Sequence, residues 1–170
     1  MATSPFKDDV DVLNYALTLE HLEATFYKEA LKSYDEAAFT AAGYQPVVRE
    51  NVAKIADDEK QHVDALTAVI KQLKGKPVKR GKYDFKYTDL AGFLKTAAVI
   101  EGVGVSAYGG AAQYIENKDI LTAALTIHGV EGRHAAYLNV LTGAVPFPDA
   151  VNAPLSKDEV LKAAGPFITG

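Results

Sequence analysis

The two halves of this 170-residue sequence repeat the same order of chemical groups. Each half has a stretch of helical periodicity that contains Glu-x6-Tyr, followed by a second stretch that contains Glu-x-x-His. In chain order the residues of these motifs are Glu20, Tyr27, Glu59, His62, Glu101, Tyr108, Glu131 and His134. The four glutamates fall at inward positions of their patterns, where a folded protein would bury them. Because an isolated buried carboxylate is very unfavourable, these groups need a partner of opposite charge or must take up a proton.

Helical periodicity predicts an all-α fold with four long helices and a short fifth one. The long helices are predicted at about 8–32, 46–74, 88–116 and 118–141, and a capping box at Ser156 opens the short C-terminal helix. No segment alternates with period two for long enough to predict a strand. We expect a single domain over residues 1–170, with the bundle at about 8–142 and a tail with the short helix at 143–170.

The lengths of the joins predict how the long helices are connected. The first and third joins are short, which favours two antiparallel hairpins. The linker between the second and third long helices has about a dozen residues and, at about 3.3 Å each, can reach roughly 40 Å. A bundle helix has about this length, so the linker permits a long crossover that makes these two helices parallel.

Composition narrows the partners that we expect. The net charge of -4 argues against nucleic-acid binding, and the basic run at 74–82 is typical of a solvated loop. Glu101 lies inside the most apolar stretch, which argues against a membrane span. The chain has no cysteine, so thiolate ligands and a Cys-x-x-Cys electron relay are excluded. Residues 1–14 lack the apolar core of a signal peptide, which favours a cytoplasmic location but leaves open a leader that has been removed.

The depths of the four glutamates along their helices favour a common centre. Within each predicted hairpin the two glutamates differ in depth by on the order of 2 to 6 Å, at 1.5 Å per residue. Two divalent cations would balance four carboxylates, and positions i and i+3 let each Glu-x-x-His reach one ion. The alternative is that these motifs are ordinary solvated helix faces, on which a single Glu-x-x-His is common. Two copies in matching order favour the metal site.

Several residues near this pattern have two interpretations. Glu23 is one turn from Glu20 and is the alternate ligand on the first helix, or a neighbour that contacts the ligands. His128 is predicted as a buried core histidine or as a proton carrier beside the ligands, and His21 as a surface residue. Tyr27 and Tyr108 are core aromatic residues whose hydroxyls could bind the carboxylates. The glycines at 102, 104, 109, 110, 129 and 132 predict either close helix packing or open space beside the metals.

This arrangement resembles the ferritin-like superfamily of di-metal carboxylate proteins over residues 8–142. The opening segment, DVDVLNYALTLEHLEATFY, is also similar to the ferritin-like domain of desiccation-related stress proteins. The resemblance implies two iron ions, two manganese ions or a mixed pair, with Glu59 and Glu131 as bridging ligands. The full ligand set that it implies is Glu20, Glu59, His62, Glu101, Glu131 and His134.

The superfamily resemblance implies redox chemistry on O2 or H2O2 but does not specify the reaction. Peroxide scavenging of the catalase type and oxidation of Fe(II) both suit a role in stress protection. One alternative is a protein that binds or stores metal without turnover. Another is a bundle that protects other macromolecules during desiccation without using a metal. We also expect a homo-oligomer, most simply a dimer.

Overall fold

The structure, a computed structural model, describes residues 4–170 and contains six α-helices in that range. They are α1 (Asp9–Ser33), α2 (Glu36–Ala41), α3 (Pro46–Gln72), α4 (Leu90–Ala111), α5 (Lys118–Leu141) and α6 (Lys157–Ala164). No strand is formed within the described range, so the predicted all-α class is confirmed. Residues 1–3, the start of the segment in which no signal-peptide core is predicted, lie outside the described residues.

Short polar side chains determine where most of the helices begin. Every helix except α3 follows a residue whose side chain accepts a hydrogen bond from a backbone N–H of the first turn. Those capping residues are Asp8, Asp35, Asp89, Asn117 and Ser156. Helix α3 instead begins with Pro46, whose fixed φ suits the first helical position.

Helix α2 lies in the first short join, where the sequence predicts no helix. Asp35 caps it by accepting from Ala38 N at 2.9 Å, and the fully buried Phe39 anchors it. Helix α4 is also shorter than predicted. It ends at Ala111, beyond two consecutive glycines, and a 3-10 turn at Ala112–Tyr114 completes the segment.

The linker between α3 and α4 crosses the length of the bundle along α1. Near its start, Val78 N donates to Asn14 Oδ1 at 2.7 Å, close to the beginning of α1. Near its end, the ring of Phe85 lies 5.0 Å from the ring of Phe26, close to the end of α1. Helices α3 and α4 therefore run in the same direction, as the long crossover requires.

The C-terminal residues form backbone hydrogen bonds with this crossover. Lys82 N donates to Gly170 O at 2.6 Å, and Thr169 N donates to Lys82 O at 2.8 Å. Tyr83 and Ile168 form an isolated antiparallel bridge between these two segments. The tail thus lies over the crossover, and α6, whose Val160 is fully buried, packs on α4.

In the described part of the chain, one helical stretch, Leu90–Tyr114, is long and apolar enough to cross a membrane. Half of its most apolar window is buried inside the bundle. Length and composition of this kind are also found in the core helix of a bundle, and Glu101 in its middle is fully buried.

Candidate metal centre

The four long helices bring six of the predicted side chains to one place inside the bundle. Helix α1 contributes Glu20, α3 contributes Glu59 and His62, α4 contributes Glu101, and α5 contributes Glu131 and His134. All four glutamates have 0% exposure, and the two histidines are 7% and 6% exposed. Each Glu-x-x-His pair lies on one face of its helix, because positions three apart are neighbours there.

His62 faces three carboxylates from three different helices. Its Nδ1 lies 3.2 Å from Glu20 Oε2, 3.3 Å from Glu59 Oε2 and 3.1 Å from Glu131 Oε1. These four residues offer one ligand atom each, and the four atoms all lie within 4.8 Å of one another. That spacing suits a single cation held between them.

His134 faces the corresponding carboxylates on the other side of the centre. Its Nδ1 lies 2.9 Å from Glu59 Oε1 and 3.3 Å from Glu101 Oε2. Together with Glu131 these residues form a second group whose ligand atoms also lie within 4.8 Å. The two groups share Glu59 and Glu131, so these two glutamates stand between two candidate ion positions.

The buried polar atoms of the centre fit a pair of cations. Six of them lie near other polar atoms of the centre but make no hydrogen bond of acceptable geometry within the described residues: Glu20 Oε2, Glu59 Oε1, Glu101 Oε2, both carboxylate oxygens of Glu131, and His134 Nδ1. Such atoms are costly to bury unless another group satisfies them. Carboxylate oxygens and imidazole nitrogens are the donors that iron, manganese and zinc accept, so metal ions are the group that this donor set fits.

Burial and mutual repulsion change the protonation of the carboxylates. Burial raises the pKa of Glu59 to about 7, and the neighbouring Glu131 carboxylate adds to this rise. Burial and the charge of Glu101 raise the pKa of Glu131 well above its usual range. The pKa of Glu101 is raised by burial and by Glu59. Without cations, therefore, these carboxyl groups tend to retain protons.

The pKa values of the two histidines are also raised, but the neighbouring carboxylates and not burial are the cause. Burial by itself lowers the pKa of His62, but the nearby carboxylates outweigh burial and raise that pKa to about 12. For His134 burial again lowers the pKa, and the carboxylates of Glu101 and Glu59 raise it to about 10. Cations that bind here must displace protons from both residue types, so metal binding should release protons.

The two tyrosines of the repeat link the halves of the chain. The hydroxyl of Tyr27, in the first half, donates a hydrogen bond to Glu101 Oε1 at 2.5 Å. The hydroxyl of Tyr108, in the second half, donates one to Glu20 Oε1. Burial, followed by the adjacent carboxylates, raises the pKa of both phenols well above the usual value. Both hydroxyls therefore stay protonated and fix the orientation of one carboxylate each.

Glu23 is a fifth buried carboxyl group beside the centre, with 2% exposure. The structure places Glu20, and not Glu23, in the group of four ligand atoms around His62. Glu23 lies against α4, where a Cβ added to Gly104 would be 3.0 Å from Glu23 Oε1 and 3.2 Å from Glu131 Oε2. Burial and the charge of Glu131 raise its pKa well above the usual value.

Among the other glycines of α4 and α5, one fits the close-packing interpretation and the others do not lie against the carboxylates. Gly110 is a close-packing position, because a Cβ there would lie 1.9 Å from the backbone oxygen of Leu155 in the tail. At Gly102, Gly109 and Gly132 a Cβ would meet no such neighbour within 4 Å. Of these glycines, Gly104 is therefore the one that leaves space beside the carboxylates.

Two histidines lie outside the two ligand groups. His128 is half-buried and is absent from both sets of ligand atoms. His21, predicted at the surface, is also half-buried, and its Nε2 lies 3.2 Å from the carbonyl oxygen of Val78 in the crossover. His21 therefore contacts the linker rather than the centre.

Asp58 is a functional candidate that sequence reasoning missed. Its Oδ2 lies 3.5 Å from His134 Nε2, the ring nitrogen opposite the one that faces the glutamates. The side chain of Lys54, one turn earlier, pairs with the same carboxylate. Although burial acts to raise the pKa of Asp58, the contacts with Lys54 and His134 lower it. In the sequence, Asp58 is notable only as the neighbour of Glu59. Adjacent side chains on a helix point in different directions, so this position alone does not predict that Asp58 contacts the centre.

Comparison with known proteins agrees with this geometry. The family profile described as "Ferritin-like domain" matches residues 8–144. The chain is also similar to Protein rds1 of Schizosaccharomyces pombe, with 23% identity over 167 residues. That alignment covers 98% of this chain but only 41% of the yeast protein, so the chain spans less than half of its relative. The profile covers all four long helices and every residue of both ligand groups, and the chain belongs to the family of ferritin-like domains.

Proposed function

We propose that this protein holds two iron or manganese ions and carries out redox chemistry on O2 or H2O2, either removing peroxide or oxidising Fe(II). The observation that supports this proposal best is the pair of buried ligand groups that share Glu59 and Glu131. Two shared carboxylates make a dinuclear centre more suitable than two independent mononuclear ones.

The charge balance supports two ions rather than one. Four ionised glutamates of the ligand groups carry -4, which two divalent cations neutralise, whereas one cation leaves an uncompensated buried charge. When bound, a pair of iron or manganese ions supplies one-electron redox chemistry toward O2 or H2O2.

The protein's own residues orient the ligands and protect the centre from bulk water. The hydroxyls of Tyr27 and Tyr108 each hold one terminal carboxylate, and Asp58 contacts the outer nitrogen of His134. Contacts of this kind fix the ring orientation of a ligand histidine and increase its basicity. Complete burial of the glutamates keeps the carboxylates out of water, so their interactions with a cation are strong.

Metal analysis of protein that has been offered both iron and manganese is the first test. We expect close to two ions per chain, and H2O2 consumption or Fe(II) oxidation by the loaded protein. Glu59→Gln should lower both the metal content and the activity. Glu50→Gln is the matched control, because Glu50 is exposed on the same helix.

Two results would contradict different parts of this proposal. Fewer than one ion per chain after loading would remove the metal centre itself. Two bound ions with neither H2O2 consumption nor Fe(II) oxidation would leave a metal-binding protein without this turnover.

A further inference from the structure

A cavity of about 270 Å³ lies inside the bundle next to the candidate metal centre. All four long helices form its walls. Ala16, Leu66 and Ile127 line it, and each lies four residues from a metal-ligand candidate on its own helix, which is about one turn. Tyr108, which donates to Glu20, lines it as well. The cavity therefore begins where the cluster of carboxylates ends.

Small apolar residues create this space. Six alanines contribute to the walls: Ala16, Ala65, Ala107, Ala111, Ala123 and Ala124. Ala65 of α3, Leu73 directly after its end and Ala123 of α5 are exposed to solvent. The opening therefore lies between α3 and α5, and a small molecule could enter there without unfolding a helix.

Two polar features select the kind of molecule that suits this cavity. Tyr15 forms part of the wall and is 7% exposed, and its buried hydroxyl has no hydrogen-bond partner among residues 4–170. An unsatisfied buried hydroxyl is unfavourable, and a small movement of the Tyr15 side chain toward an acceptor atom on a ligand would satisfy it. Asp119 at the opening and the glutamates beyond Tyr108 disfavour an anionic ligand.

We propose that this cavity binds a neutral organic molecule with an apolar body and one hydrogen-bond acceptor, of the ketone, aldehyde or ester type. A protein cavity of about 150 Å³ accommodates benzene, so this cavity suits a molecule of roughly ten non-hydrogen atoms. Apolar pockets with few, well-placed polar groups are typical of small-molecule sites. The site is separate from the metal ligands, and binding to it does not depend on the redox activity proposed above.

The ketone 2-nonanone, which has ten non-hydrogen atoms, is a suitable probe. Calorimetric titration of the metal-loaded and metal-free protein should show saturable binding of one molecule per chain in both forms. Nonanoate, which has a similar apolar chain but carries a negative charge, should bind at least tenfold more weakly. Absence of saturable 2-nonanone binding, or equally tight binding of nonanoate, would overturn the proposal.

Two variants test the location of the ligand. Ala124→Phe fills the cavity and should weaken 2-nonanone binding at least tenfold, whereas Ala37→Phe, at an exposed position on α2, should not affect it. Tyr15→Phe should weaken the ketone about fivefold, as expected for the loss of one hydrogen bond, and leave n-nonane binding unchanged.

Ligand-to-protein nuclear Overhauser effects from the methyl groups of Ile120 and Ile127 provide a test that needs no variant. Their absence in saturated protein would refute the assignment. So would unchanged ketone binding in Ala124→Phe. If Ala124→Phe instead converts a dimer to a monomer and the wild-type protein does not bind the ketone, the apolar opening is covered by a second copy and the proposal is wrong.

Discussion

At the scale of single residues, one departure from the internal repeat explains how a fifth carboxyl group fits beside the centre. On the helices that carry Glu-x6-Tyr, α1 and α4, the repeat pairs each position with one 81 residues later, as Glu20 with Glu101 and Tyr27 with Tyr108. By the same spacing Glu23 pairs with Gly104, whose missing side chain leaves room for the Glu23 carboxyl group. The sequence showed both residues, but not that one makes space for the other, because this contact joins two helices.

We predict that Gly104→Ala disturbs the metal centre. The new Cβ would lie 3.0 Å from Glu23 Oε1 and 3.2 Å from Glu131 Oε2, so at least one carboxyl group must move by a few tenths of an ångström. Metal affinity, measured by competition with a chelator, should fall several-fold. Gly102→Ala on the same helix has no neighbour to displace, and should keep full affinity and stabilise α4 by up to about 1 kcal/mol. Equal affinities in the two variants would contradict this.

A second prediction at this scale concerns the outer contact of His134. Asp58→Asn removes the charged partner of His134 Nε2, and loss of such a partner typically weakens a metal site by about 10- to 100-fold. Asp57→Asn is the neighbouring control, because Asp57 is exposed and absent from both ligand groups. Titration with Mn(II) checks both variants, and unchanged affinity in Asp58→Asn would rule out the contact as a functional one.

At the scale of elements, α4 serves both the centre and the tail. On one side of this helix, Glu101 and Gly104 face the metal centre. Near its C-terminal end the helix contacts the tail, where Leu155 N donates to Ser106 O at 3.1 Å. Periodicity predicted the long helices because each has a repeating apolar stripe. It did not predict the docking of the tail, because backbone contacts between distant segments leave no periodic pattern.

We predict that Gly110→Ala displaces the tail. A Cβ at this position would lie 1.9 Å from Leu155 O, so the backbone around Leu155 must move. Thermal or urea unfolding should show a loss of about 1–3 kcal/mol, the usual range for overpacking. Gly109→Ala, at an exposed position with no such neighbour, should be neutral or slightly stabilising. A Gly110→Ala protein as stable as the wild type would show that the tail is not held there.

At the scale of the whole molecule, the protein buries acidic groups that are costly without cations. The pKa of Glu59 rises from 4.5 to about 7 on folding, so the folded protein binds more protons than the unfolded chain between these values. The free energy of unfolding of the metal-free protein should therefore fall as pH rises through this window, by on the order of 3 kcal/mol for this group. The raised pKa values of His62 and His134 act in the same direction above pH 6.5.

We predict from this balance that the metal-free protein has a higher Tm at pH 5 than at pH 8. Adding Mn(II) should raise Tm far more at pH 8, where fewer protons compete for the ligands. Differential scanning calorimetry at both pH values, with and without metal, checks the prediction. Glu59→Gln should reduce the pH dependence of the metal-free protein. A Tm of the metal-free protein that does not depend on pH would mean that burial does not raise the pKa values of these carboxyl groups.

The fold and the six central side chains were predictable because each leaves a regular signal in its own helix. Glu59 and His62 share a helical face, and their counterparts repeat the spacing, so a local pattern gave a global arrangement. Helix α2 and the contact between Asp58 and His134 were not predictable in this way. They depend on a local cap at Asp35 and on side-chain directions across two helices, which spacing along one helix does not determine.

The crossed tyrosine contacts predict how the chain behaves when it is cut into two fragments. Tyr27 reaches the glutamate of the second half and Tyr108 that of the first, so neither hairpin satisfies its own groups. A cut within the crossover would produce two pieces, each with half of the ligands and with a phenol whose acceptor is on the other piece. Such pieces are expected to complement each other when expressed together, because each supplies the hydrogen-bond partner that the other lacks.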